Sequence, residues 1–108
     1  MNDTLLELYS TVLSRKDTHT DGSYTCYLFE KGIDKILKKC GEECSEVIIA
    51  AKNGDNSETV LEISDLLYHL TVLMVNEGIA LDEVNAELAK RSEKTGNLKN
   101  FHQTDKNS

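Results

Sequence analysis

Four acidic residues carry the strongest chemical signal in this 108-residue sequence. Glu43 and Glu46 are three apart, as are Glu62 and Asp65, and on a helix that step places both members on one face. If the two segments are helices packed antiparallel about Asn53-Gly54, each pair lies roughly ten residues from the turn, and the four carboxylates converge. Such a cluster repels itself unless a cation sits within it. Hard oxygen donors that converge in this way suit Mg²⁺ or Mn²⁺. Mg²⁺ keeps positions for water and for phosphate oxygens, as a phosphate-ester hydrolase requires. The plainer reading is that these are glutamates on wet helix faces. Two matched pairs on consecutive helices, each bordering an apolar stripe, weigh against it.

The charge distribution points to the same place. Between Glu42 and Asp65 stand seven acids (Glu42, Glu43, Glu46, Asp55, Glu58, Glu62, Asp65) and one base, Lys52. That window holds six of the seven units of net negative charge, and the rest of the chain is close to balanced. A net charge of −7 argues against a general nucleic-acid binder, which normally presents a basic face. It does not exclude a phosphorylated ligand, because a bound divalent cation reverses the local sign.

Other residues border the acids. Lys31, Lys35, Lys38 and Lys39 precede the first pair, and Lys39 lies one turn before Glu43, where a lysine can hold a phosphate that the metal also touches. For Lys35 and Lys38 a solvated helix face with i,i+4 pairing fits at least as well. Arg15-Lys16 and Lys90-Arg91 are weaker candidates for phosphate contacts. His69, one turn after Asp65, either orients a ligand carboxylate, touches substrate, or is a satisfied core histidine. Asp65 and His69 have the spacing of a zinc pair but lack a clear third ligand. Cys40 and Cys44 are one turn apart within an apolar stripe, with no second Cys/His pair to complete a tetrahedral site, so they read as core.

The elements that must position these residues are helices. There is no proline to interrupt them. Leu5, Leu6, Leu8, Tyr9, Val12 and Leu13 predict an amphipathic helix over about residues 3–15. A polar loop from Lys16 to Gly22 follows, and Ser23 caps a short helix from Tyr24 to Phe29. Ile33, Ile36, Leu37, Cys40, Cys44, Val47, Ile48 and Ala51 form one stripe of a helix over about 32–52, which Asn53-Gly54 ends. Asp55 and Glu58 have the spacing of a capping box, opening a helix to about Glu77. Its apolar residues lie on two sides (Val60, Ile63, Leu67, Leu70 and Met74; Leu66, Val72 and Leu73), the mark of a central helix with little wet surface. Glu58, Glu62, Asp65, His69 and Asn76 share a further side of it. Gly78 closes it, and Leu81, Val84 and Leu88 mark a last helix to about Arg91. From Thr95 the sequence reads as a polar, frayed tail. The expectation is one all-α domain over residues 1–94, with a tail over 95–108 and a helical hairpin at its centre.

Composition bounds the rest. No apolar run approaches the roughly 20 residues of a membrane span, and the N-terminus lacks a secretory profile. Three cysteines, Cys26, Cys40 and Cys44, cannot all pair in one chain, so a reducing cytoplasm is the simplest compartment. A chain this short buries proportionally little surface, so dimerisation would help it.

Three segments resemble the phosphoribosyl-ATP pyrophosphatases of histidine biosynthesis: Gly22-Ser23-Tyr24-Thr25-Cys26-Tyr27-Leu28-Phe29 with Lys31-Gly32 and 34–39; Gly41-Glu42-Glu43 through Glu46 to Asn53; and Glu62 with Asp65-Leu66-Leu67-Tyr68-His69. The wider all-α nucleoside triphosphate pyrophosphatases, MazG-like proteins included, share only the paired E-x-x-E and E-x-x-D. The resemblance covers about residues 5–92 and implies a four-to-five-helix bundle completed by homodimerisation. It implies Mg²⁺-dependent hydrolysis of 1-(5-phosphoribosyl)-ATP to 1-(5-phosphoribosyl)-AMP and pyrophosphate. Carried over by position, Glu43, Glu46, Glu62 and Asp65 would be metal ligands, and Glu42 would ligate or help activate water. Lys35, Lys39, His69, Arg15 and Arg91 are the substrate-binding candidates. Ser64 stands where alanine is expected, with no consequence for the ligands. A fused upstream cyclohydrolase, known in the family, is not expected here. The alternative activity is a house-cleaning pyrophosphatase of non-standard or deoxynucleoside triphosphates; a non-enzymatic helical dimerisation module is the alternative of another class.

Overall fold

In a computed structural model that describes residues 3–93, the chain forms five helices and, among the described residues, no strand. They are α1 (Thr4–Asp17), α2 (Tyr24–Lys31), α3 (Ile33–Lys52), α4 (Asn56–Glu77) and α5 (Leu81–Ser92). The expected tail lies outside the described residues. None of the helices is long and apolar enough to cross a membrane.

Helix ends follow the local chemistry. The Ser23 hydroxyl accepts from the Cys26 N–H at 3.1 Å and starts α2, which runs two residues beyond its expected end. Gly54 takes φ +71° between α3 and α4, a conformation that β-carbon sterics disfavour in other residues. Asp55 then caps α4, its carboxylate accepting from the Glu58 N–H at 3.0 Å. The expected reciprocal half of that box is not found; the Glu58 carboxyl instead acts on that of Glu62, one turn on. Gly78, at φ +73°, closes α4 with a wrapped C-terminus in which the Ile79 N–H reaches back to the Met74 carbonyl at 2.8 Å. A side-chain return of the capping-box type is found at α5, where Glu83 accepts from the Ala80 N–H at 2.9 Å.

The α3–α4 hairpin is the most extensive helix pairing, as expected, and α1 and α2 pack against one end of it. There the core forms from Val12, Leu28, Ile36, Cys40, Val72 and Val75, with Leu8, Tyr9, Phe29 and Tyr68 packed around it. Full burial of Leu28, Ile36 and Val72 contributes about 1.5–3 kcal/mol each relative to exposure. The Tyr9 hydroxyl donates to the Ile79 carbonyl at 2.7 Å and ties α1 to the α4–α5 turn.

At the other end the sequence expectation needs correction. Ile48, Ile49, Val60 and Leu61 are each more than half exposed, and Ile63 and Leu67 more than two-fifths. Only the C-terminal half of α4 is enclosed, through His69, Thr71, Val72 and Val75. The cause is length. The hairpin extends past α1 and α2, so among the described residues nothing lies over its turn end. Of the α3 stripe, Ile36 and Cys40 are buried, whereas Ile33, Leu37, Cys44, Ile48 and Ala51 are exposed, and Cys44 is therefore not a core residue of the single chain. On α5 only Leu81 is buried; Val84 and Leu88 face outward.

Candidate active site

The hairpin brings the expected acids together. Glu43 on α3 and Glu62 and Asp65 on α4 each offer a carboxylate oxygen, and the three atoms lie within 4.8 Å of one another. Helical spacing puts Glu62 and Asp65 on one face, and the Gly54 turn sets Glu43 opposite them. Glu46 stands outside this three-oxygen group but close enough for its charge to act on Glu62.

Electrostatics reveal how tight the cluster is. The Glu62 carboxyl is pushed up to about 7, first by its hydrogen bond with Glu58, then by partial loss of solvent and by the charges of Glu46, Glu58 and Glu43. Three carboxylates thus crowd the Glu62 carboxyl group until it holds its proton near neutrality. All donors are hard oxygens, the combination that suits a hard divalent cation such as Mg²⁺ or Mn²⁺. The residues present fit such an ion. Helical spacing puts Glu58 on the Glu62 side of α4, but its place in the capping box gave no sign that its carboxyl acts on that of Glu62.

Lys39 borders the cluster. Its Nζ lies 3.3 Å from a Glu42 carboxylate oxygen and 3.9 Å from one of Glu43. The hydrogen bond to Glu42 raises the lysine pKa, so Lys39 stays charged. Glu42 is itself exposed, at the solvent edge of the site.

His69 is buried. Its Nδ1 is 2.8 Å from the Asp65 backbone carbonyl, which can only accept, so in the neutral ring Nδ1 carries the hydrogen. Nε2 then accepts from the Tyr24 hydroxyl at 3.1 Å. Both ring nitrogens are engaged within the protein, the arrangement of the satisfied core histidine, and His69 reaches the site through Tyr24 rather than with a free nitrogen.

Tyr24 introduces α2 into the site. Its ring stacks at 6.0 Å from Tyr27 and 6.1 Å from Tyr68, and it meets His69 edge-on at 5.8 Å. Burial raises its phenol pKa; Lys39 pulls it down and Glu43, Tyr27 and Glu42 push it up, so the ring stands beside the carboxylates. Tyr68 shares a hydrogen bond with Thr25, and burial raises its pKa as well. The motif around Tyr24 was legible as a family signature, but its spacing carried no sign that the tyrosines wall the acid site.

The remaining candidates lie elsewhere. Lys35 stands 5.9 Å from the Tyr27 ring centre and Lys31 5.7 Å. Arg15 lines a cavity of about 370 Å³ with Lys16, His19, Cys26, Phe29 and Glu30, on the side of α2 away from Tyr24 and Tyr27. Arg91 pairs with Glu87 at 3.0 Å on the exposed surface of α5. Neither arginine is among the groups that meet the carboxylate cluster.

Comparison with known proteins gives the constellation its context. A family model described as phosphoribosyl-ATP pyrophosphohydrolase matches residues 5–92. A phosphoribosyl-ATP pyrophosphatase of Clostridium botulinum is 55% identical over 103 residues, covering 95% of this chain and 94% of that protein. One from Lactiplantibacillus plantarum is 54% identical, covering 86% of the chain and 88% of that protein. A histidine biosynthesis bifunctional protein of Caldanaerobacter subterraneus is also 54% identical, over 83% of this chain but 44% of its own length. A match spanning all five helices and every carboxylate of the cluster leaves no ambiguity of assignment: the chain belongs to the phosphoribosyl-ATP pyrophosphohydrolase family.

Proposed function

We propose that this protein hydrolyses 1-(5-phosphoribosyl)-ATP to 1-(5-phosphoribosyl)-AMP and pyrophosphate, the second step of histidine biosynthesis, in a Mg²⁺-dependent reaction that Mn²⁺ can also support. The observation that carries this reading is the group of three carboxylate oxygens within 4.8 Å, in a chain of this family. Glu43, Glu62 and Asp65 would hold the cation, with Glu46 beside them. When bound, Mg²⁺ neutralises phosphate charge and polarises the anhydride between the α- and β-phosphates.

The protein groups divide the remaining work. Glu42 faces solvent at the edge of the cluster and is suited to orient a water and take its proton. Lys39, held by Glu42 and Glu43, balances charge on the departing pyrophosphate. Glu62 gives up its proton when the cation arrives, so loading is favoured above neutral pH. The exposed apolar face of the hairpin supports a homodimer in which a second copy covers Ile48, Ile49, Val60 and Leu61. A cytoplasmic setting agrees with the three free thiols.

Pyrophosphate release from phosphoribosyl-ATP, set against a panel of standard and non-standard nucleoside triphosphates with Mg²⁺, tests the proposal. Preference for phosphoribosyl-ATP is expected. Preference for a simple triphosphate would move the assignment to the house-cleaning activity.

A further inference from the structure

The substrate proposed above has three parts in line: a triphosphate, a purine, and on position 1 of that purine a ribose carrying its own phosphate. Two anionic ends flank a flat aromatic middle. A protein that distinguishes this molecule from ATP must recognise the second ribose phosphate, and the phosphate is the charged part of that group.

The structure presents matching chemistry in the same order. At one end stands the carboxylate cluster, with Lys39 Nζ 3.3 Å from Glu42 and 3.9 Å from Glu43. Next is Tyr24, whose phenol feels the charges of Lys39 and Glu43. The ring of Tyr27 follows, 6.0 Å from that of Tyr24 at an interplanar angle of 24°. Lys31 and Lys35 then converge on the Tyr27 ring, at 5.7 Å and 5.9 Å from its centre.

The aromatic middle is exposed yet held. Tyr24 and Tyr27 are 44% and 39% exposed, large values for rings on a helix that also contributes to the core. The bond from the Tyr24 hydroxyl to buried His69 fixes one ring, and Tyr68 backs it from α4. Base–aromatic stacking is worth about 1–3 kcal/mol where it has been measured by truncation, and a preformed surface adds no ordering cost at binding.

The lysines are the less ordinary feature. Lys31 follows Tyr27 by four residues on α2, so helical spacing alone accounts for that contact. Lys35 belongs to α3 and reaches the same ring from beyond Gly32, which local periodicity does not explain. Among the described ion pairs, Lys39 and Arg91 each have a carboxylate, whereas neither Lys31 nor Lys35 does. Two cations brought to one exposed ring without an acid are a site for an anion.

We infer that Tyr27, with Tyr24 behind it, packs against the purine, and that Lys31 and Lys35 bind the phosphate of the second ribose. This inference rests on the substrate proposed above and adds the groups that select it. Lys35 thereby has a specific phosphate, distinct from the triphosphate assigned to the carboxylates and Lys39.

Calorimetric binding of 1-(5-phosphoribosyl)-AMP and of AMP separates the parts, since the two ligands differ only by the second ribose phosphate. The wild type is expected to prefer phosphoribosyl-AMP by about tenfold or more, equivalent to about 1.4 kcal/mol. In the double variant Lys31→Ala/Lys35→Ala that ratio should fall to about one. Tyr27→Leu should weaken both ligands, while Tyr27→Phe retains both because the ring remains. Circular dichroism melting of each variant confirms the fold. A double variant that keeps the preference overturns the lysine assignment, as does one that weakens both ligands equally; Tyr27→Leu binding like wild type overturns the stacking. Pyrophosphate release by the wild type is scored separately. If phosphoribosyl-ATP is not cleaved, the functional reading fails; if it is cleaved and these ratios do not move, only the selection mechanism fails.

Discussion

The two ends of the α3–α4 hairpin are built differently. At the open end, away from the Gly54 turn, α1 and α2 close over Ile36, Cys40, Val72 and Val75, and the chain supplies its own core. At the turn end the same two helices present Ile48, Ile49, Val60 and Leu61 to solvent. The carboxylates lie along the hairpin between these regions, with α2 and its tyrosines on the covered side. A self-sufficient end can fix side chains precisely, whereas the turn end leaves its apolar side chains exposed among the described residues. The contrast teaches that apolar spacing reports what must be buried and not what buries it.

The largest expected effect comes from the acids. Glu43→Gln or Asp65→Asn should reduce turnover by more than the roughly 10–100-fold that loss of a supporting partner costs at a metal site. Helicity by circular dichroism should stay near wild type, because Glu43 and Asp65 are not core residues. Full activity in either variant would remove that residue from the ligand set.

A second pair of variants sharpens the contrast between the ends. Leu28→Ala, at a fully buried position, should lower stability by about 2–5 kcal/mol in denaturant unfolding at any protein concentration. Ile48→Asp should instead shift sedimentation from dimer to monomer, lower the melting temperature and remove its dependence on protein concentration. If Ile48→Asp sediments like the wild type, the turn end is not an interface.

The effect of pH is smaller and has a definite sign. Glu62 titrates near 7 in the fold and near 4.5 when unfolded, so the native state binds an extra proton between those values. Through this group, stability without metal is greatest below about 4.5 and declines as pH rises toward 7. Metal affinity moves the opposite way, rising by up to about tenfold per pH unit below 7 and levelling above it, because the ion displaces one proton. Calorimetric Mn²⁺ titrations at several pH values check the slope. A flat profile would mean that the ion displaces no proton from Glu62 in this range. The smallest effect is Asp55→Ala, which loses the α4 cap and should cost about 1 kcal/mol in urea unfolding.

Much of this was legible in the sequence because local physics dictates it. The steps among Ile33, Ile36, Cys40 and Val47 require a helix, and Asn53-Gly54 followed by Asp55 marks the turn. Once those are placed, Glu43, Glu62 and Asp65 must meet. What was not legible depends on contacts distant in sequence. The Tyr24–His69 hydrogen bond spans 45 residues and exists only because α2 packs across α4. Glu62 feels Glu46 and Glu43 only because α3 and α4 pack together, which the spacing of α4 alone does not show. The wetness of Val60 and Ile63 depends on how far α1 and α2 reach, which periodicity does not encode.

The hairpin as a cation site is tested most directly by Mn²⁺ binding to the wild type and to Glu62→Gln at pH 8, followed by electron paramagnetic resonance without substrate. Saturable binding by the wild type, much weakened in Glu62→Gln, is the expected result. Equal binding by both proteins, or none by either, would contradict the assignment of these carboxylates.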